Sequence, residues 1–334
     1  MPSTRLSAAV LEPAGVAEAL AAYGFSTPYA IENMKRGFSS EIWRIATSQQ
    51  TLVLKRHRRG TTEARVSFTT ALQAFCSLQE LAPRLVRTVG GAYFLASRKK
   101  TFFSLAHMIE GKTTAPQFRD ARCLVSGAAL LGILHCKMSE FSDPRTCPAD
   151  LSIFGNTAAA KRHLRAVLLT PALPTEARTI IEFKLKNIES VAPRGQDCLN
   201  ILPKQIVHGD FHLGNVVWRE SGGACALDFD RAGVFFKVYE ILRFLFRSIL
   251  YADRNNRQDL LRVALRAYIQ FASLSVSERR HALDLYIYIL LCDLAGVWDR
   301  KCSVEVTEFG RYRFELLRWL LDHRPALANL LLSV

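Results

Sequence analysis

The sequence predicts an α+β protein of two lobes: a small lobe of mainly antiparallel strands over residues 1–110, and a larger, mainly helical lobe over 111–334. Three observations predict it. The first third carries short alternating apolar runs around one inserted helix. After Glu110-Gly111 the apolar residues recur at helical spacing over long stretches. One interruption, between residues 205 and 227, holds short strand-like runs whose edges are strongly polar.

In chain order, residues 14–23 are Ala-rich and helical. Glu41-Ile42-Trp43-Arg44-Ile45 and Leu52-Val53-Leu54-Lys55 read as a hairpin turning at Ser48-Gln49-Gln50. Residues 62–79 place Val66, Leu72, Phe75 and Leu78 near helical spacing, and Ala92 to Leu95 with Phe102 to Leu105 form a strand pair around a basic turn. Helices are expected over 118–138, 156–170, 176–190, 236–251, 257–273, 277–298 and 306–321. Strands are expected at Gln205-Ile206-Val207, Asn215 to Trp218 and Ala224 to Leu227, the last two joined by Arg219-Glu220-Ser221-Gly222-Gly223. The apolar end, Leu327 to Leu332, is too short to span a bilayer and is expected to pack on the helical lobe.

A chain of 334 residues with 49% hydrophobic and 22% charged residues has ample material for a core. It lacks the run of about 18 apolar residues that a membrane span needs, and 18 Gly and 12 Pro exclude a collagen-like or disordered chain. Glu12, Pro13 and Glu18 interrupt the apolar N-terminal stretch, so no export is expected. The eight cysteines contain no C-x-x-C, which argues against zinc and a disulfide framework and for a reducing cytoplasm. A net charge of +14 allows nucleic acid, anionic lipid or a phosphate-bearing ligand. The basic residues are nevertheless spread along the chain, so nucleic acid is not the expected partner, and the densest cluster, Lys55 to Arg59, reads mostly as a solvated turn.

The chemistry concentrates in His208-Gly209-Asp210-Phe211-His212-Leu213-Gly214-Asn215 and Asp228-Phe229-Asp230. Asp210 follows a strand in a tight loop, where it can accept a proton from an attacking hydroxyl. Asn215 can turn its amide oxygen to a metal, and Asp228, at the end of the returning strand, can be the second ligand. Few carboxylates plus phosphate oxygens suit Mg2+ carried by a nucleotide better than an all-protein cage. A lone Asp at a strand end can simply cap a turn, but here three such residues coincide with a lysine-bearing strand upstream. Gly209 and Gly214 oppose the helix that a His208/His212 zinc pair would need. His135 and Cys136 read as residues of a helical core or cleft.

HGDFHLGN followed by DFD resembles the motif pair of the aminoglycoside phosphotransferase and choline kinase-like superfamily, whose fold is protein-kinase-like. Upstream, Arg36 to Arg44 resembles the family's nucleotide loop, Leu52-Val53-Leu54-Lys55 its lysine strand and Met108-Ile109-Glu110-Gly111 its inter-lobe linker. Tyr239 to Phe244 resembles the helix after the metal aspartate. The resemblance implies a bilobal kinase-like fold with ATP between the lobes, Mg2+ as cofactor, and transfer of the γ-phosphoryl group to a hydroxyl of a small molecule. It implies Asp210 as the base, Asn215 and Asp228 as metal ligands, and Lys55 on the ATP phosphates. Gly37, Ser39 and Ser40 would cradle the phosphates, and the backbone around His107 and Met108 would take the adenine edge. Glu63 is the expected partner of Lys55, with His208, His212, Asp230 and Glu240 in support, Glu240 bracing the catalytic loop.

Only eight residues, Arg231 to Val238, separate Asp230 from Tyr239, too few for a long activation loop of the protein-kinase kind. A catalytically silent kinase-like binding protein, a nucleic-acid-associated protein and a protein or lipid-saccharide kinase stay open as alternatives. The acceptor stays open among antibiotics, amino alcohols, sugars and related metabolites. Residues 1–110 and 111–334 each carry a net +7, so a neutral, zwitterionic or anionic acceptor is favoured over a polycation.

Overall fold

The computed structural model describes residues 15–26, 29–34, 40–97, 100–113, 120–143, 145, 147, 157–249, 256–293 and 305–334. The expected nucleotide loop from Arg36 to Ser39, with Gly37 and Ser39, lies outside the described residues, as does Cys302. The chain divides into two compact units: Met1–Thr113 with Glu140–Cys147 and Asn215–Ala232, and Thr114–Ser139 with Pro148–Gly214 and Gly233–Val334.

The first unit is built on a five-stranded antiparallel sheet of β1 (Ala30–Met34), β2 (Glu41–Ala46), β3 (Thr51–Arg56), β4 (Leu95–Ala96) and β5 (Phe102–His107), in the order β1-β2-β3-β5-β4. Alternation sets the register. Trp43 faces Leu54 and Ile45 faces Leu52, so these side chains share one sheet face with Phe103 and Leu105. Helix α1 (Val16–Ala22) closes that core with Val16, Ala19 and Leu20. Helix α2 (Glu63–Ser77) starts where Thr62 caps the Arg65 N–H and Glu63 faces the positive end of the helix dipole.

A second, three-stranded sheet joins β6 (Lys112–Thr113), β8 (Val216–Trp218) and β9 (Ala224–Ala226). At Gly111 any Cβ would run into the Trp218 backbone carbonyl, which fixes glycine there. The β8–β9 hairpin therefore packs with the first unit, whereas the sequence put it in the helical lobe. Its neighbours are β6 and the segment that follows α2, where the Ala226 N–H donates to the Leu81 carbonyl.

The second unit is helical: α3 (Ala121–Glu140), α4 (Thr157–Leu168), α5 (Thr175–Ile201), α6 (Lys237–Ile249), α7 (Arg257–Ile269), α8 (Val276–Cys292), α9 (Glu308–Asp322) and α10 (Arg324–Leu332), with β7 (Gln205–Val207) paired to β10 (Gly233–Phe235). Helix α5 runs eleven residues beyond its expected end at 190, straight through Pro193. Helix α8, fixed at its start by a Ser275–Glu278 capping box, is buried nearly all round. Helix α3 is long and apolar enough to cross a membrane. Its Leu124, Leu131, Leu134 and His135 side chains are buried in the helical unit, as expected of a core helix. Cys76, Cys198, Cys225 and Cys292 are buried thiols, and burial pushes Cys76 and Cys198 up to about 12.

The α5–α8 contact sets a stability prediction. A Cβ at Gly195 would overlap the Tyr288 ring, which is itself held by a 2.9 Å hydrogen bond between its hydroxyl and that of Thr157. Overpacking of this kind costs roughly 1–3 kcal/mol, so Gly195→Ala is expected to lower the melting temperature while Gly222→Ala, with open space around its Cβ and a left-handed turn to strain, disturbs only the exposed hairpin tip. Thermal unfolding of the two variants by circular dichroism checks this; an unchanged midpoint for Gly195→Ala refutes it.

Candidate active site

In the first unit, the antiparallel sheet aims Lys55 of β3 at the residues that follow β9. The Lys55 ammonium lies 2.6 Å from Asp228 Oδ1 and 2.8 Å from Asp230 Oδ2. Burial alone would lower its pKa, but Asp230 and then Asp228 raise it above the ordinary value. Asp230 is the more enclosed partner. Burial would raise its pKa, yet Lys55 and His57 hold it well below the usual carboxylate range. His57 Nδ1 sits 3.3 Å from Asp230 Oδ1 and its Nε2 3.0 Å from Ser104 Oγ. Ser40 donates to Asp230 Oδ2 at 3.3 Å, and Arg65 of α2 donates to the Asp230 carbonyl at 3.2 Å.

Asp228 differs from its neighbour. Its side chain is 42% exposed, and its backbone is left-handed, with φ 63° and ψ 71°. That conformation costs a non-glycine residue about 1 kcal/mol or more, and it turns the chain sharply at the end of β9. Val216 pairs with Ala226 and the Leu227 N–H donates to the Asn215 carbonyl, so Asn215 and Asp228 stand at the same open end of one hairpin. Among the described residues, no three His, Cys, Asp or Glu side chains gather into a metal cage. An amide and an exposed carboxylate at one hairpin end fit a metal that brings most of its ligands with it.

Glu63 does not pair with Lys55, against expectation: it is exposed in the first turn of α2, where the helix dipole favours it, and the two aspartates take the lysine instead. The N–H groups of His107 and Met108 donate to the carbonyls of Arg84 and Thr51 at 2.9 and 3.0 Å. The basic run from Lys55 is also less solvated than its composition suggested, with Lys55 17% exposed and His57 buried.

In the second unit, β7 delivers His208 to the loop that carries Asp210, and Glu240 of α6 is bonded to that loop. Glu240 Oε2 accepts from the His208 N–H at 2.8 Å and lies 3.0 Å from His135 Nε2, while Oε1 accepts from the Phe211 N–H at 3.5 Å. Burial would raise the Glu240 pKa, but the His135 hydrogen bond leads the effects that hold it low. His135 is fixed from its other side by the Tyr268 hydroxyl, 2.8 Å from Nδ1. The Asp210 N–H donates to His208 Nδ1 at 3.3 Å, and the His208 ring packs edge-on against Phe211. Glu240 thus braces the loop, as expected.

Arg243, one turn on from Glu240, donates to the Gly209 carbonyl at 2.8 Å and to Asp210 Oδ1 at 2.5 Å. This ion pair and those of His57 were not assigned from sequence. The i, i+3 spacing of Glu240 and Arg243 on one helix was the available signal for Arg243. Nothing local marks His57, which reaches Asp230 only through the sheet. His212 Nδ1 is buried without a hydrogen-bond partner, and burial, followed by the charge of Arg247, lowers its pKa to about 4.

Known structures share this arrangement of elements. An aminoglycoside phosphotransferase from Alicyclobacillus acidocaldarius matches with a TM-score of 0.64 at 15% identity, over 97% of this chain and 96% of that one. Amicoumacin kinase hAmiN, solved with AMP-PNP, Ca2+ and its ligand Ami, gives 0.62 at 14% identity over 86% and 88%. Choline kinase from Cryptosporidium parvum gives 0.59 at 13% identity over 91% and 92%. At such identities the likeness establishes the protein-kinase-like α+β fold. No functionally curated protein matches the sequence. The sequence model of the phosphotransferase enzyme family (APH) covers residues 30–286, from β1 into α8 and through every polar contact described above up to Glu240 and Arg243, and the chain belongs to that family.

Proposed function

We propose that the protein is an ATP-dependent small-molecule kinase that transfers the γ-phosphoryl group of Mg-ATP to a hydroxyl. The observation that carries this reading is the pairing of Lys55 with Asp228 and Asp230, which directly follow a hairpin that begins six residues after Asp210. The nucleotide and divalent ion named with the amicoumacin kinase support it. When bound, Mg-ATP supplies the transferred group: the bond from the γ-phosphorus to the bridging oxygen breaks, its electron pair leaves on ADP, and the acceptor oxygen bonds to phosphorus.

The chain's own residues do the rest. Asp210 takes the acceptor's proton, its carboxylate oriented by Arg243 and its backbone fixed through His208 and Glu240. Asn215 and Asp228 would hold the metal, and Lys55, kept in place by Asp230, would present its charge to the phosphates. Ser40, with Gly37 and Ser39, cradles those phosphates. Because the His107 and Met108 N–H groups are bonded within the sheet, the adenine edge falls to carbonyls there and to the following backbone at Ile109 and Glu110. The free buried thiols fit a cytoplasmic enzyme.

Asp210→Asn keeps the shape that Arg243 bonds but removes the base. Turnover is expected to fall by about a hundredfold or more, with Mg-ATP still raising the melting temperature; normal turnover refutes the assignment. Asp228→Ala removes the exposed carboxylate, and the Mg-dependent part of the ATP-induced thermal shift should vanish. Lys55→Ala should weaken that shift while leaving Mg dependence in place. Thermal shift with ATP, with and without Mg2+, separates the two, and an unaltered response of Asp228→Ala counts against the metal site.

A further inference from the structure

Resting on the phosphotransferase reading, we infer that the acceptor is an anionic hydroxyl compound, whose oxyanion group is bound by Arg247 in an arginine-rich cluster beside Asp210. The cluster lies wholly within the helical unit. Tyr239, Arg243 and Arg247 follow one another at i, i+4 and i+8 along α6. Phe309, Tyr312 and Arg313 form the matching stripe on α9, at i, i+3 and i+4. The two stripes meet: the Tyr312 hydroxyl donates to the Phe246 carbonyl at 2.6 Å, and the Phe309 ring carries the Arg247 guanidinium at 5.8 Å and the Arg313 guanidinium at 5.5 Å.

The three arginines are not equivalent. Arg243 is paired with Asp210, and Arg313 with Asp293, which also takes the buried Lys184 ammonium, 3.4 Å from its Oδ1. Glu240 is committed to the loop backbone and His135. Arg247 has no carboxylate partner among the described residues; an aromatic ring is what it rests on. Burial, and then the like charge of Arg243, pushes its pKa below the ordinary value, and its own charge reaches His212 in the catalytic loop. Asp210, already bonded to Arg243, offsets this only from a distance, and for a half-buried guanidinium with no carboxylate bonded to it an oxyanion accepting its forked N–H groups relieves the cost of burial.

The same count argues against a cationic acceptor. The carboxylates near the cluster, Asp210, Asp293 and Glu240, are each already bonded to a cation or to backbone N–H groups, and a cation would meet Arg247 first. His212, neutral and with an unpartnered buried Nδ1, adds a polar contact without charge. Phe309, 42% exposed between its two guanidiniums, gives the acceptor's carbon frame a surface to lie on.

The test reads binding, so it does not depend on possessing the natural acceptor. Full-length protein saturated with Mg-AMP-PNP, so that its nucleotide site is filled, is titrated at constant ionic strength with four probes: glycerol, 3-amino-1,2-propanediol, glycerate and glycerol 3-phosphate. Inorganic phosphate serves as the control for a bare oxyanion. The expected result is a saturable rise in melting temperature with glycerate, glycerol 3-phosphate or both, which also separates a carboxylate from a phosphate acceptor. Glycerol and the amine should give none. In Arg247→Gln the half-saturating anion concentration should rise about tenfold or more, while the Mg-AMP-PNP shift is retained, which shows that the variant is folded. The inference is overturned if no anion gives a saturable shift, if the amine outperforms the anions, or if Arg247→Gln binds anions as the parent does. It is equally overturned if Arg247→Gln loses the nucleotide shift instead, because Arg247 would then serve the nucleotide. Failure of the kinase reading looks different: Mg-AMP-PNP itself would leave the parent protein's melting temperature unchanged.

Discussion

The catalytic loop depends on one buried charge. Glu240 is 2% exposed, and a carboxylate so placed is tolerable only if its lone pairs are filled. The loop fills them with the N–H groups of His208 and Phe211, and α3 with His135. These bonds hold the backbone on either side of Asp210, at His208 and at Phe211. Arg243, a turn further along the same helix, then fixes the Asp210 side chain itself. A single helix thereby sets both the main chain and the carboxylate of the proposed base. Gly127 on α3 helps seat it, since a Cβ there would strike the Phe244 ring.

The first unit solves the opposite problem by the same rule. Here the buried group is a cation, and two carboxylates surround it. They are not redundant. Asp230 is enclosed and held by Lys55, His57 and Ser40, whereas Asp228 is exposed and held by Lys55 alone among the described residues. Asp230 is thus the fixed partner of Lys55, and Asp228 the one whose carboxylate stays open to solvent. The strained left-handed backbone at Asp228 is consistent with this division, because strain is retained where a side chain must be aimed.

Much of this was legible in the sequence because it is local. The run from His208 to Asp230 encodes two tight turns and a hairpin, and glycines with polar residues at strand ends mark such turns without reference to the rest of the chain. The antiparallel sheet of the first unit followed from period-two alternation for the same reason. What escaped was long-range. His57 belongs to a basic run that looks solvated until β3 and β5 are paired, and Glu63 looked like a partner for Lys55 until the hairpin brought two aspartates to it. The short strands β1, β6 and β10 were missed because two to five residues with little alternation carry no period. Helix α5 continues through Pro193 to Ile201, beyond the expected end at 190, although proline disfavours a helix interior.

Charge shows most clearly why composition and structure must be read together. A net +7 in each half of the sequence speaks only to the average field, which is screened within about 10 Å at ordinary ionic strength. Recognition depends on charges that are desolvated and placed. Arg44, Arg87 and Arg262 lie at the surface with ordinary partners. The helical unit instead gathers Arg243, Arg247 and Arg313 around aromatic rings and assigns two of them carboxylates. The charge proposed for the acceptor therefore rests on one placed group and not on the whole-chain excess: of the three guanidiniums, Arg247, on the helix that also holds Asp210 through Arg243, is the one with no carboxylate bonded to it among the described residues.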